Sequence, residues 1–472
     1  MTRGRDMMGS MRNGGDFAST LLRKASRRRS RVVALIASML AIGSLAACGD
    51  PAPPRSRVLV IGIDGASPRV MKKLLAEAKL PHLSALARRG VYGRLRSEPP
   101  LFSPRVWNTI ATGKHPREHG IRAFVFEDAG ANRLYTSEHR KVPAIWNILS
   151  HAGWSVSVVN WWTTYPPEEI DGVMVSDHFF PERLAGLRGA FSAVDTSSGA
   201  LVTPADYSEK ARAARDNDDD LATFPHAFGP ETPLSPWVDR EDLLENHRTD
   251  HAVTRVALEV QREHAPDALF VFLPGIDRVS HALWGNLEPE TLYPPEYQPT
   301  PRDRAGGLLA LYTYYQVTDA LIGSLLQGYG EADHILVVSD HGFEGGTVLA
   351  PLTGQHKGAA ALHGIVFAAG PKIEPAARIA TTSIYDVMPM LLAFADLPGA
   401  RDLADELPDF VKASPIPRID TWDDTPVHRI AQADTGMEEE IVERLRALGY
   451  LEDGVEPPAN EADADSDLRQ RE

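Results

Sequence analysis

"HILVVSDHGF", residues 334–343, runs an apolar stretch directly into two chemically active side chains. Ile335 to Val338 is a continuous apolar run, the pattern of a strand buried on both faces, and Asp340 and His341 stand side by side at its end. An adjacent aspartate and histidine suit a turn, a hydrogen-bonded pair or a metal. In open α/β sheets, ligands gather beyond the carboxyl ends of the strands, so the remaining apolar runs bear on the choice.

Those runs are "RVLVIGIDGA" (57–66), "SVSVVNW" (155–161), "GVMVSD" (172–177), "ALFVFLPG" (268–275) and "GIVFAAG" (364–370). Helical patterns at 143–152, 249–264, 305–327 and 382–395 fall between them. Alternation of this kind predicts an α/β fold, a mostly parallel sheet with helices on both faces, over residues 57–400. Two polar, proline-punctuated segments, 182–246 and 286–303, interrupt the rhythm and read as cap or lid insertions. Residues 401–452 extend the domain, and the acidic, aromatic-free 453–472 is predicted to be a disordered tail.

The amino terminus differs in kind. Arg23, Lys24, Arg27, Arg28, Arg29 and Arg31 precede the apolar "VVALIASMLAIGSL" and then "AAC", which predicts an export signal over residues 1–47. Cys48 is the sole cysteine, and "LAAC" resembles the lipobox of bacterial lipoproteins, whose cysteine carries the lipid. An uncleaved membrane anchor is the alternative, since about 17 apolar residues can just span a bilayer. A lipidated Cys48 followed by the tether 48–56 would hold the domain at a membrane of the cell envelope, periplasmic or outer-membrane in a Gram-negative host. Gly49 after Cys48 fits the outer-membrane pattern, and translation starting at Met8 or Met11 would shorten the long basic leader. With no other cysteine, any metal must be held by His, Asp, Glu or hydroxyl groups. The net charge is −15, and residues 1–47 carry nine basic and two acidic side chains, so the rest stands near −22; a nucleic-acid partner is not expected.

The residues that end the apolar runs form the candidate site: Asp64, Asp277, Asp340 and His341. A single aspartate at a strand end is more often a cap or turn former, but several at one edge require charge compensation. "DRVSH" spaces Asp277 and His281 by four, one face of a helical turn, a spacing that an ordinary helix hydrogen bond also explains. His356 and His363 follow before the last strand. Asp and His without Cys form the usual shell of catalytic zinc, with manganese an alternative, and six such ligands suit two divalent metal ions. Two metals suit in-line displacement at phosphorus. Ser103, before Pro104, is the candidate nucleophile at a helix start, where its structural reading is an N-cap.

"VIGIDG", "SPRVWNTIATGKHPREHGI", "PGIDRVSH", "VVSDHGF" and "GQH…GIVFAAGP", in this order, resemble the alkaline phosphatase superfamily, most closely its type I phosphodiesterase/nucleotide pyrophosphatase family. The resemblance spans roughly 57–400 and implies an alkaline-phosphatase-like core. It implies that Asp64, Asp340, His341 and the nucleophile Ser103 serve one metal, and Asp277, His281 and His356 the other, with His363 as the fallback for His356. Asp340 and His341 would then be adjacent because they bind the same ion. "VMVSDHFF" sets Asp177 and His178 at another strand end without the following glycine, and the family has no ligand there; this pair reads as structural.

A sulfatase needs a Cys or Ser in a C/S-x-P-x-R pattern; here Pro104 and Arg105 follow Ser103 directly, which argues against that chemistry. The expected activity is hydrolysis of phosphodiester or pyrophosphate bonds in a small phosphorylated, nucleotide-type substrate through a phosphoseryl intermediate. A phosphomonoesterase, a phospho-group transferase and an inactive anchored binding protein are the alternatives. Arg105 is a candidate for substrate binding or for solvent, and Lys114 reads as a loop residue. Trp284, Tyr293 and Tyr297 could stack on a substrate, though surface packing explains such residues as well.

Overall fold

A computed structural model describes residues 55–128, 131–180, 201–217, 225–346, 354–375, 380–404, 406–412 and 417–430. The leader, Cys48 and the 453–472 tail lie outside these residues. The main sheet is built from β1 (Val58–Ile63), β2 (Val91–Arg96), β3 (Val156–Val159), β4 (Met174–Val175), β5 (Val202–Thr203), β6 (Ala268–Leu273), β7 (His334–Val338), β8 (His363–Ala369) and β9 (Ala380–Ser383). Their order across the sheet is β9-β2-β8-β7-β1-β6-β3-β4-β5. β1 lies between β7 and β6 and is parallel to both, so Asp64, Asp277 and Asp340 emerge from one edge.

The central strands are almost continuously apolar because both faces are covered, with His334 of β7 and Ser157 of β3 the buried exceptions. Leu59, Ile61, Ile63, Leu269, Val271 and Val337 pack on one face. There they meet α1 (Pro68–Ala76), α2 (Pro81–Arg89), and, farther along the chain, three helices described below. Val58, Val60, Phe270, Phe272, Leu336 and Val338 pack on the other, against α3 (Ser103–Thr112), α4 (Ile145–His151) and a late helix, Val387–Phe394. The helices on the first face are α5 (Arg240–His264), α6 (Gly275–Leu283) and α7 (Pro301–Leu326).

The sheet is mostly parallel with helices on both faces, as expected, and three local features refine that reading. The strand at 363–369 runs antiparallel to both neighbours, β7 and β2. Among the described residues no α-helix lies between β7 and β8, and a parallel return needs such a crossover. α5 begins at Arg240, capped by the Asp239 side chain, so it takes seven residues from the expected 182–246 insertion. That insertion also supplies β5, which pairs antiparallel with β4. Finally, the N-cap of α3 is Phe102 rather than Ser103; the serine is the first helical residue, and its side chain makes no capping bond.

Candidate active site

β1 releases Asp64 into a turn at Gly65, whose φ of 66° lies in the left-handed region. The glycine is needed twice. A Cβ there would sit 2.6 Å from the Phe343 ring and 2.9 Å from Cα of Asp277, and its N–H donates to Asp340 Oδ1 at 3.2 Å. β6 leads through Pro274 into α6, whose first turns carry Asp277 and His281 on one face. Beyond β7, Ser339 Oγ accepts from Ala66 N at 2.7 Å and donates to the His341 carbonyl at 3.1 Å, fixing the two strand ends to each other.

His341 Nε2 lies 3.5 Å from Asp64 Oδ1, 3.4 Å from Asp340 Oδ2 and 3.9 Å from Asp277 Oδ1. His356 Nε2 is 3.9 Å from Asp277 Oδ1, and its ring stacks on His341 at 4.0 Å. His281 Nε2 lies 3.5 Å from Asp277 Oδ2. Nδ1 of His281 faces the Gly354 carbonyl at 2.9 Å, and Nδ1 of His341 faces the Gly342 carbonyl at 3.0 Å. A carbonyl only accepts, so in the neutral rings Nδ1 carries the proton and Nε2 turns a lone pair toward the carboxylates. Asp277 Oδ1, Asp340 Oδ2 and His341 Nε2 are buried without a hydrogen-bond partner.

The electrostatics point the same way. Burial pushes the Asp64 carboxyl well above its ordinary range, and the charges of Asp340 and Asp277 add to the rise. Asp277 and Asp340 are raised by burial as well, while burial lowers His341 and His356 toward the neutral form. Lone pairs and carboxylates facing one another in a dry site are mutually unfavourable, and a divalent cation relieves both problems at once. Two sets of donor atoms lie close enough to share an ion: Asp64, Asp340 and His341, and Asp277, His341 and His356. His341 thus stands in both sets, whereas the resemblance gave it only to the first, and His281 flanks the second through Asp277. His363, at the start of β8, is in neither.

The profile of the type I phosphodiesterase/nucleotide pyrophosphatase family matches residues 58–349. The chain belongs to this family. Comparison with curated proteins gives no match. Among solved structures, phosphonoacetate hydrolase from Sinorhizobium meliloti 1021 is similar at 19% identity, over 62% of this chain and 57% of that one, with a TM-score of 0.39. A putative sulfatase from Bacteroides thetaiotaomicron is similar at 13% identity, over 75% of this chain and 74% of that one, with a TM-score of 0.48. Murine ectonucleotide pyrophosphatase/phosphodiesterase 5 is similar at 13% identity, over 75% of this chain and 98% of that one, with a TM-score of 0.44.

In this type I phosphodiesterase fold, α3 brings Ser103 to the cluster, its Oγ donating to Asp64 Oδ1 at 3.5 Å. α3 forms because Pro104 suits the first turn and Gly113, at φ 68°, ends it. Arg105 does not face solvent: it is 3% exposed, and it donates to the carbonyls of Glu98 and Pro100 and to Glu98 Oε1. Its buried guanidinium braces the loop that leads into Ser103. Lys114 is a loop residue, buried between Asp402 and Asp423. Trp284 is core rather than surface, packed on Phe343, and Tyr293 is buried too; Tyr297 remains exposed beside Trp237.

Trp162 is the contact that sequence reasoning missed. Its indole N–H donates to Asp64 Oδ2 at 3.4 Å. It sits in a turn in which Asn160 and Thr163 both have positive φ, 62° and 59°, costly for non-glycine residues. The turn is tied down on three sides: Asn160 Nδ2 donates to the Phe272 carbonyl at 3.1 Å, Asn108 of α3 donates to Thr163 Oγ1, and Thr163 N donates to Asp177 Oδ2 at 2.7 Å. Asp177 therefore supports this turn, and His178 stacks on Tyr165 at 4.4 Å.

Proposed function

We propose that this chain is a metal-dependent phosphohydrolase that cleaves phosphodiester or pyrophosphate bonds, with Ser103 as its nucleophile. The observation that carries the reading is the placement of the Ser103 hydroxyl at the start of α3, 3.5 Å from Asp64, beside buried carboxylate and imidazole atoms that lack partners. Asp64, Asp340, His341 and Ser103 would hold one divalent ion, and Asp277, His281 and His356 the second, with zinc the natural choice for this donor set. Two such ions, when bound, supply Lewis acidity toward a phosphoryl oxygen and toward the attacking and leaving oxygens.

The protein's own part is placement. Ser103 Oγ forms a bond to phosphorus as the bond to the ester or anhydride oxygen breaks, and the leaving group departs opposite Ser103. The hydroxyl proton faces Asp64 Oδ1. Water then cleaves the phosphoseryl bond and regenerates the serine. The positive end of α3 favours the alkoxide, and Trp162 holds Asp64 from its far oxygen.

The site ligands beyond this geometry, the 57–400 catalytic domain and export with lipidation at Cys48 are part of the same proposal. Among the described residues no helix is long and apolar enough to cross a membrane. Hydrolysis of bis-p-nitrophenyl phosphate and of p-nitrophenyl phosphate, with zinc and after chelation, tests the function. Preference for the diester, lost in Ser103→Ala and on chelation, is the expected result. Preference for the monoester would move the chain to phosphomonoester chemistry, and full activity of Ser103→Ala would remove the serine mechanism.

A further inference from the structure

The helix that carries Asp277 and His281 has no cap of its own. Its N-cap residue is Pro274, which offers no side-chain acceptor to the orphan N–H groups of the first turn. The acceptor comes from a different helix. Asp250, in the middle of α5 and 0% exposed, takes the Gly275 N–H on Oδ1 at 3.2 Å and the Tyr314 hydroxyl of α7 on Oδ2 at 3.0 Å. One buried carboxyl thus ties α5, α6 and α7 together two residues before Asp277.

We propose that Asp250 is a positioning residue for the Asp277–His281 arm of the candidate metal centre. This rests on the metal-dependent function proposed above. Three features separate it from a generic buried hydrogen bond. A Cβ at residue 275 would lie 1.9 Å from the Tyr314 hydroxyl oxygen and 2.4 Å from Asp250 Oδ2, so glycine is the residue that permits this approach. A carboxyl at the N-terminus of α6 also favours the helix dipole. Above all, α6 is only nine residues long and places Asp277 and His281 one turn apart, so a small shift of its first turn moves both side chains relative to His356. Such outer partners hold metal ligands in orientation, and their loss lowers metal affinity.

Zinc affinity of the full chain, measured by competition with a chromophoric chelator, tests the role without relying on turnover, and Asp277→Ala identifies which equivalent belongs to this arm. Asp250→Ala is expected to weaken that equivalent about 10- to 100-fold. Asp250→Asn keeps an acceptor for Gly275 N–H and a donor that Tyr314 can accept, so it is expected to stay within about threefold of wild type. Should Asp250→Ala fail to fold, Tyr314→Phe, which removes the donor that orients the carboxyl, is expected to weaken the same equivalent several-fold. Unchanged affinity in Asp250→Ala, an Asn variant as weak as the Ala variant, or an unaffected Tyr314→Phe would each overturn the proposal, even with lowered melting temperatures. A wild-type chain that binds no zinc would remove both this inference and the function on which it rests, whereas zinc binding insensitive to residue 250 would remove this one alone.

Discussion

At the scale of single residues, Asp64 is held from two directions, by Ser103 Oγ on Oδ1 and by the Trp162 indole on Oδ2. The Trp162 bond, at 3.4 Å, is long, and loss of one such hydrogen bond costs about 1 kcal/mol. Trp162→Phe keeps the ring packing against Phe124 and Phe272 but removes the N–H. Its kcat/KM toward the diester is therefore expected to fall about fivefold, with the melting temperature nearly unchanged. Equal kcat/KM in the variant and wild type would mean that Asp64 is oriented without the indole. No spacing rule singles out Trp162, because its contact depends on a turn whose positive-φ residues, Asn160 and Thr163, are not the glycines that usually announce such backbone. Asp64, Asp277, Asp340 and His341 were legible because each closes an apolar run or follows one within a turn. His356 was preferred over His363 only through the family resemblance, and it lies beyond the matched 58–349 segment, yet the fold stacks it on His341.

Whole elements show the same division. The central strands were legible from composition, since a strand covered on both faces reads as a near-continuous apolar run. β2 was not, because its alternation ends in Arg94 and Arg96, exposed on one face, and the sense of β8 depends on its connection rather than its own residues. The start of α5 was hidden by the charged "REDLLENHR", polar enough to read as loop until its Asp239 cap is seen. β7 carries chemistry at both ends. At its start, His334 is 1% exposed, stacks on Phe394 at 4.3 Å, and has no hydrogen-bond partner on either ring nitrogen. Burial pushes its pKa down to about 4; Lys372 acts in the same direction, while Asp396 and Asp333 oppose it. The unfolded histidine, near its ordinary value of about 6.5, takes up its proton first as the pH falls. This group's contribution is therefore complete above about pH 6.5 and is lost as the pH drops toward 4. Its share of that loss is about 2 kcal/mol at pH 5. Urea unfolding at pH 8 and pH 5 should show a smaller acid loss in His334→Leu by about that amount. An identical loss in both proteins would place the acid sensitivity elsewhere.

At the scale of the whole molecule, a chain of net charge −15 gathers Asp64, Asp277 and Asp340 around one buried point. Desolvation and mutual repulsion raise the Asp64 pKa well above its ordinary value, so the cluster opposes folding unless a cation joins it. Function and stability should then separate under mutation. Asp340→Asn keeps an oxygen to accept the Gly65 N–H, and it replaces the partnerless Oδ2 with a donor beside Asp64. The metal-free variant is expected to be more stable than metal-free wild type, by about 1 kcal/mol, because one buried like charge is gone. Wild type should gain about 2.7 kcal/mol per site when zinc is present at 100 times its dissociation constant, and the variant should gain much less. Thermal melts with chelator and with zinc distinguish the cases. A variant less stable than wild type without metal, or melting curves of wild type that do not respond to zinc, would show that the carboxylates are balanced within the fold and are not kept for an ion.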